Sequence, residues 1–173
     1  MSSTPVQTPD LKDANTPPSK PTRISPPAVP FTPCHMFFYG SLMDPTQLSY
    51  ITNHTLTTTS TTPPILTPTT ITGFRMKMWS IYPTLIATSN PTNSNKVTGM
   101  LWKCDTEAQF QRLAAYETDA YTWCFCTAEL DDGSGTLMRG VRTFCWAGEP
   151  DSEELTEGVF DLERWKWRAY SSF

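Results

Sequence analysis

The sequence is poor in histidine, in positive charge and in long apolar runs, and each shortage removes a class of function. Only two histidines occur, His35 and His54, neither at ligand spacing from a second ligand type, so no metal is expected. The net charge is −4 and the isoelectric point about 5.1, which argues against a nucleic-acid surface. No apolar stretch reaches bilayer length, so no membrane partner is expected. Residues 1–10 have neither the charged start nor the apolar centre of a secretory leader, so a cytoplasmic location with reduced thiols is expected. The five cysteines (Cys34, Cys104, Cys124, Cys126, Cys145) are odd in number and contain no C-x-x-C, and they read as small buried hydrophobes. No internal repeat is present.

What the chain does have is an uneven distribution of proline. Nine of its sixteen prolines fall in residues 1–33, among serine and threonine. Such a segment buries too little apolar surface to offset the entropy of ordering, so 1–33 is expected to be a disordered or loosely draped tail. The domain is placed at 34–173, a length suited to a single core.

Within it, 36–39 is a short apolar run ended by Gly40, the mark of a buried strand. Asp44-Pro45 then suits a helix start over 47–52. Residues 45–70 carry no formal charge, and the threonine run 57–62 with Pro63, Pro64 and Pro68 reads as an extended loop or edge. Residues 71–80 alternate as one strand, with Phe74, Met76 and Met78 on one face and Arg75, Lys77 and Trp79 on a solvated one. A polar turn over 88–96 leads to a strand over 97–104 that contains Gly99.

Thr106 and Gln109 have capping-box spacing ahead of a helix whose apolar face is Phe110, Leu113 and Ala114, fraying near Tyr116. Strands over 123–130 and 141–146 flank an Asp131-Asp132-Gly133 turn, an acidic loop covers 148–158, and an amphipathic helix over 160–170 closes the chain. Together these patterns predict an α+β fold: a small mixed, mostly antiparallel β-barrel or curled sheet of about five or six strands with a few short helices.

Two segments carry the chemistry. A strand that breaks at Gly40 leaves the backbone N–H groups around Gly40, Ser41 and Leu42 free to face a ligand. Glu117 is a lone carboxylate flanked by Tyr116 and Tyr121, at a helix-to-strand corner. One carboxylate with a set of backbone donors can move protons and hold an anion without a metal or an enzyme nucleophile. Trp79, Tyr82, Asp44 and Trp102 are further lining candidates, although aromatic residues of this kind more often form core.

Four pieces, in order, resemble the gamma-glutamylcyclotransferase-like (AIG2-like) superfamily. They are Phe37-Phe38-Tyr39-Gly40-Ser41-Leu42-Met43, Ile71-Thr72-Gly73-Phe74, Val97-Thr98-Gly99-Met100-Leu101-Trp102, and the block from Leu113 through Tyr116-Glu117 to Tyr121. Residues 144–148 and 159–165 look most like a filamentous-fungal branch. Where the family block has a glycine after the glutamate, this chain has Thr118.

The resemblance implies the superfamily's fold and a cofactor-independent cyclotransferase that releases 5-oxoproline from a gamma-glutamyl amine or peptide. Glu117 would be the proton shuttle, and Tyr39, Gly40, Ser41, Leu42 and Tyr121 would contact the small-molecule substrate. Two alternatives stay open at this point. The same pocket would serve a different cyclisation or isomerisation in fungal secondary metabolism, or the protein would bind a small molecule without turnover. The oligomeric state is left open.

Overall fold

The computed structural model describes residues 23–54, 62–89 and 95–171. Most of the expected tail (1–22), most of the threonine run (57–61) and the middle of the polar turn (90–94) lie outside the described residues.

Strands β1 (Cys34–Phe38), β2 (Thr67–Thr72), β5 (Lys96–Cys104), β6 (Tyr121–Leu130) and β7 (Leu137–Trp146) close a barrel in the order β1-β5-β2-β6-β7. Every pairing in it is antiparallel except β1 with β7, which run parallel. Strands β3 (Phe74–Trp79), β4 (Tyr82–Ala87) and β8 (Leu155–Thr156) form a second small sheet in the order β4-β3-β8. Three helices complete the described residues: α1 (Pro45–Thr52), α2 (Glu107–Glu117) and α3 (Leu162–Tyr170), with one 3₁₀ turn at Ser41–Met43. The expected mixed α+β barrel is therefore what forms. No helix among the described residues is long and apolar enough to cross a membrane.

β1 explains why the barrel closes. Phe37, with Tyr39 just beyond the strand, packs inside against Ile71, Val97, Leu101, Ala128, Val141 and Cys145. Met36 and Phe38 point outward but stay dry, covered by Leu48 of α1 and Leu113 of α2 among other residues. A strand buried on both faces reads as an uninterrupted apolar run, which is the pattern at 36–39. At Phe38↔Met100 the two strands approach closely over Gly99. A Cβ on Gly99 would overlap the Phe38 carbonyl oxygen and lie 2.6 Å from Phe37 Cζ, so glycine is required by space.

Several sequence expectations shift. Residues 71–80 are two strands, because Gly73 takes φ +86° and turns the chain from the barrel into the second sheet. Part of the segment read as loop is β2, whose Thr69 and Ile71 are fully buried. β4 has no sequence cue: Ser80, with neither glycine nor asparagine beside it, takes φ +58° in the tight turn that joins β3 to β4. Lys77 was placed on a solvated face but is buried. The loop after β7 covers it, Nζ donating to the Pro150 carbonyl at 3.4 Å. That loop also supplies β8, pairing Trp79 with Leu155.

α2 runs through Glu117 rather than fraying at Tyr116, and α3 starts at Leu162, capped by Asp161. The capping box of Thr106 and Gln109 forms as read. Asp44 caps α1 through Gln47 N–H at 3.3 Å and also accepts from Tyr170 (3.3 Å) and pairs with Lys166 (3.4 Å), so it fastens α3 to the 3₁₀ turn and α1. Residues 23–33 lie along the domain: Ile24 N–H donates to the Ala147 carbonyl at 2.9 Å, and Phe31 packs on Phe110.

Gly99→Ala is expected to destabilise the fold by about 2 kcal/mol or more. Urea unfolding would show a lower midpoint at an unchanged slope.

Candidate active site

Where β1 ends, the chain turns at Gly40 into the 3₁₀ turn Ser41–Met43. The turn is closed by Met43 N–H to the Gly40 carbonyl (3.0 Å) and Asp44 N–H to the Ser41 carbonyl (3.1 Å). Like every helix start, it leaves its first amides without internal acceptors, and those of Ser41 and Leu42 have no backbone acceptor among the described residues. A Cβ on Gly40 would stand 3.0 Å from the Pro83 ring, so this position must stay small for β4 to approach.

These amides border a cavity of about 280 Å³, near the lower end for small-molecule sites. Tyr39, Gly40, Ser41, Leu42, Glu117 and Tyr121 all line it, so the fold brings together the catalytic and substrate-contact residues that the resemblance implies. Trp79 and Tyr82 line it too, with Pro83, Thr118, Tyr116 and Phe144. Asp44 and Trp102 do not: Asp44 is the cap of α1, and Trp102 is core, stacked on Phe38 at 6.2 Å. Pro83 and Phe144 escaped sequence reading because β4 had no cue and Phe144 read as an ordinary strand residue.

Three of the four tyrosine hydroxyls around the cavity have partners. Tyr39 Oη donates to the Phe144 carbonyl at 2.7 Å, and Tyr121 Oη to the Pro83 carbonyl at 3.0 Å. Ser41 Oγ and Tyr116 Oη share a hydrogen bond of 2.8 Å. Burial raises the pKa of all three tyrosines, so they remain neutral phenols at neutral pH. One wall is aromatic, with Trp79 6.2 Å from Tyr82 and 6.4 Å from Tyr121 between ring centroids.

Glu117 is different. Among the described residues it is the one charged residue in the lining, and its carboxyl has no hydrogen bond or ion pair. It is only partly buried because one side faces the cavity, yet the surrounding protein raises its pKa to about 7 by desolvation. A carboxyl with that pKa is divided between acid and base at neutral pH, the condition for moving a proton both ways. Its position is held by the end of α2. Thr118, the next residue, takes φ +64°, ψ −175°, a conformation nearly reserved for glycine and costing on the order of 1–3 kcal/mol.

Residues 36–167 match the sequence profile of the family described as gamma-glutamyl cyclotransferase, AIG2-like. The chain belongs to that family. Two solution structures of Arabidopsis thaliana proteins share the fold. One is 18% identical with a TM-score of 0.58, over 85% of this chain and 81% of that one. The other is 22% identical with a TM-score of 0.54, over 83% and 87%. No curated protein matches.

Two outcomes follow from this geometry. Thr118→Gly is expected to stabilise the protein by about 1 kcal/mol, since the strain relieved exceeds the entropy glycine adds to the unfolded chain. Thermal denaturation measures it. Glu117 has a folded pKa of about 7, above its ordinary 4.5. Its protonated form is the one the fold favours, so the associated stability is full below pH 4.5 and is lost as pH rises through 7. Glu117→Gln is therefore expected to be more stable than the wild type above pH 7, by on the order of 2 kcal/mol, and equal to it at low pH. Paired urea titrations at two pH values check the difference.

Proposed function

We propose that this protein is a gamma-glutamyl cyclotransferase that releases 5-oxoproline from a gamma-glutamyl amine or peptide, with Glu117 as its proton shuttle. The observation that carries the reading is the unpaired Glu117 carboxyl, its pKa near 7, in a cavity that also holds the open amides of Ser41 and Leu42.

The reaction needs no enzyme nucleophile. The substrate's α-nitrogen attacks its own γ-carbonyl carbon, the new N–C bond closes a five-membered ring, and the original C–N bond releases the amine. Attack is intramolecular, so the main demand on the protein is to hold the chain folded back on itself. The narrow space between Tyr39, Leu42 and Tyr121 serves that end. Glu117, ionised, takes a proton from the attacking nitrogen and then gives it to the departing one, and so returns to its starting state. The amides of Ser41 and Leu42 supply donors for the oxyanion or the substrate carboxylate. The aromatic wall of Trp79, Tyr82 and Tyr121 faces the leaving group.

One observation favours a second reading. Among the described residues, no lysine, arginine or histidine lines the cavity. Lys103 pairs with Asp105 at 2.8 Å, Lys77 is held at Pro150, and Arg75 lies 3.8 Å from Glu157. A zwitterionic substrate would therefore rely on neutral donors alone, whereas an apolar ligand would suit the lining directly. In that reading the same carboxyl catalyses another cyclisation or isomerisation, in the secondary metabolism of a fungal-type family branch.

A panel of gamma-glutamyl peptides, gamma-glutamyl amines and glutathione, assayed for 5-oxoproline, separates the two. Turnover of one member is expected, rising with pH through about 7 as Glu117 ionises. Glu117→Gln is expected to lower kcat by about 10²–10⁴-fold with the fold intact by circular dichroism. Full activity in that variant would remove Glu117 from its role. Silence across the panel from folded wild-type protein would favour the second reading or a binding role.

A further inference from the structure

Arg142 is buried, at 3% exposure, and none of the described residues offers it a carboxylate. It sits on the outer face of β7, where Phe31, Phe110, Trp123 and Phe125 surround its guanidinium at 5.8, 5.1, 4.3 and 5.9 Å. Aromatic faces satisfy a cation above and below its plane. In the plane, the buried Nε–H has no acceptor among the described residues. A buried cation in that state is costly, and the cost falls when an anion completes it.

Beside it runs an open groove of about 430 Å³, between the N-terminal segment and the start of β7. Its lining includes Arg142, the exposed Arg139, His35, Cys34 and Phe125, and among the described residues it contains no aspartate or glutamate. Hydrogen bonding from Cys104 and the charge of Arg142 lower the Cys34 pKa against the effect of burial, in keeping with a positive local field. The groove lies at the opposite end of β1 from the Glu117 cavity, and nothing in the proposed reaction uses it.

We propose that this groove is a second binding site, for a small carboxylate- or phosphate-bearing anion, gripped by the guanidinium fork of Arg142 with Arg139 at its rim. The planar fork presents paired N–H donors that match two oxygens of such a group, a match that an ammonium cannot reproduce. Residues 29–33 form one side of the groove, and Phe31 both closes the cage on Arg142 and stacks near Phe110. An occupant would thus bridge the N-terminal segment to β7.

The test is an NMR titration of the full chain, following the arginine Nε–H signals, with Arg142 assigned by its loss in Arg142→Lys. Inorganic phosphate and acetate are added separately, with chloride at equal ionic strength as the control. The expected result is a saturable shift of the Arg142 signal with phosphate, acetate or both, and none with chloride. Whichever of the two binds more tightly identifies the headgroup. Arg139→Gln, at an exposed position, is expected to weaken the binding by about threefold to tenfold, and it keeps the test valid if Arg142→Lys fails to fold, since the wild-type titration needs no buried change. A shift that is absent, linear in salt, or equal with chloride would overturn the proposal. So would unchanged affinity in Arg139→Gln for the rim role of that residue.

Discussion

Everything else in this molecule depends on β1 being dry on both sides. A strand with one wet face can end a sheet; a strand with none must sit between neighbours and under a cover. β1 meets both demands by pairing antiparallel with β5 and parallel with β7, while α1 and α2 close over its outer face. The parallel pairing is the one that turns a curled sheet into a barrel. It also fixes where the strand ends, and the end is where Gly40 and the 3₁₀ turn open toward solvent. The same constraint that closes the core therefore places a set of open amides at its rim.

The cavity at that rim is selective in what it leaves unbound. The hydroxyls of Tyr39, Tyr116 and Tyr121 are tied to a carbonyl or to a serine, which fixes those three rings. The walls are otherwise hydrocarbon and indole. Such surroundings raise the energy of an ionised carboxyl without offering it a partner. Among the described residues, Glu117 is thereby the one carboxyl in the lining, and it is poised to exchange a proton near neutrality. Its electrostatics come from what the site withholds, and no countercharge is needed to explain them.

Much of this was legible in the sequence, for identifiable reasons. The apolar run 36–39, the capping box of Thr106 and Gln109, and the helix-to-strand corner at Glu117 are local signals, and each formed within two residues of where its pattern placed it. The six residues expected at the site converge because two such signals meet at one end of the barrel. What stayed hidden was non-local. β4 hides behind a turn made by Ser80 in a left-handed conformation, which serine does not advertise. Lys77 looked solvated because alternation says which side a residue faces, and cannot say that a distant loop covers that side. Arg142 gave no signal in the sequence, because only the assembly of α2, β6 and the N-terminal segment around it makes it a buried cation.

Asp44 carries a consequence of a more practical sort. One carboxylate, 5% exposed, caps α1, pairs with Lys166 and accepts from Tyr170. The final helix is thus stapled beneath the loop whose amides border the cavity. A substitution in α3, at Lys166 or Tyr170, would therefore pull on the staple, and through it on the floor of the site, without touching the cavity. Changes in that helix are not neutral controls for the chemistry.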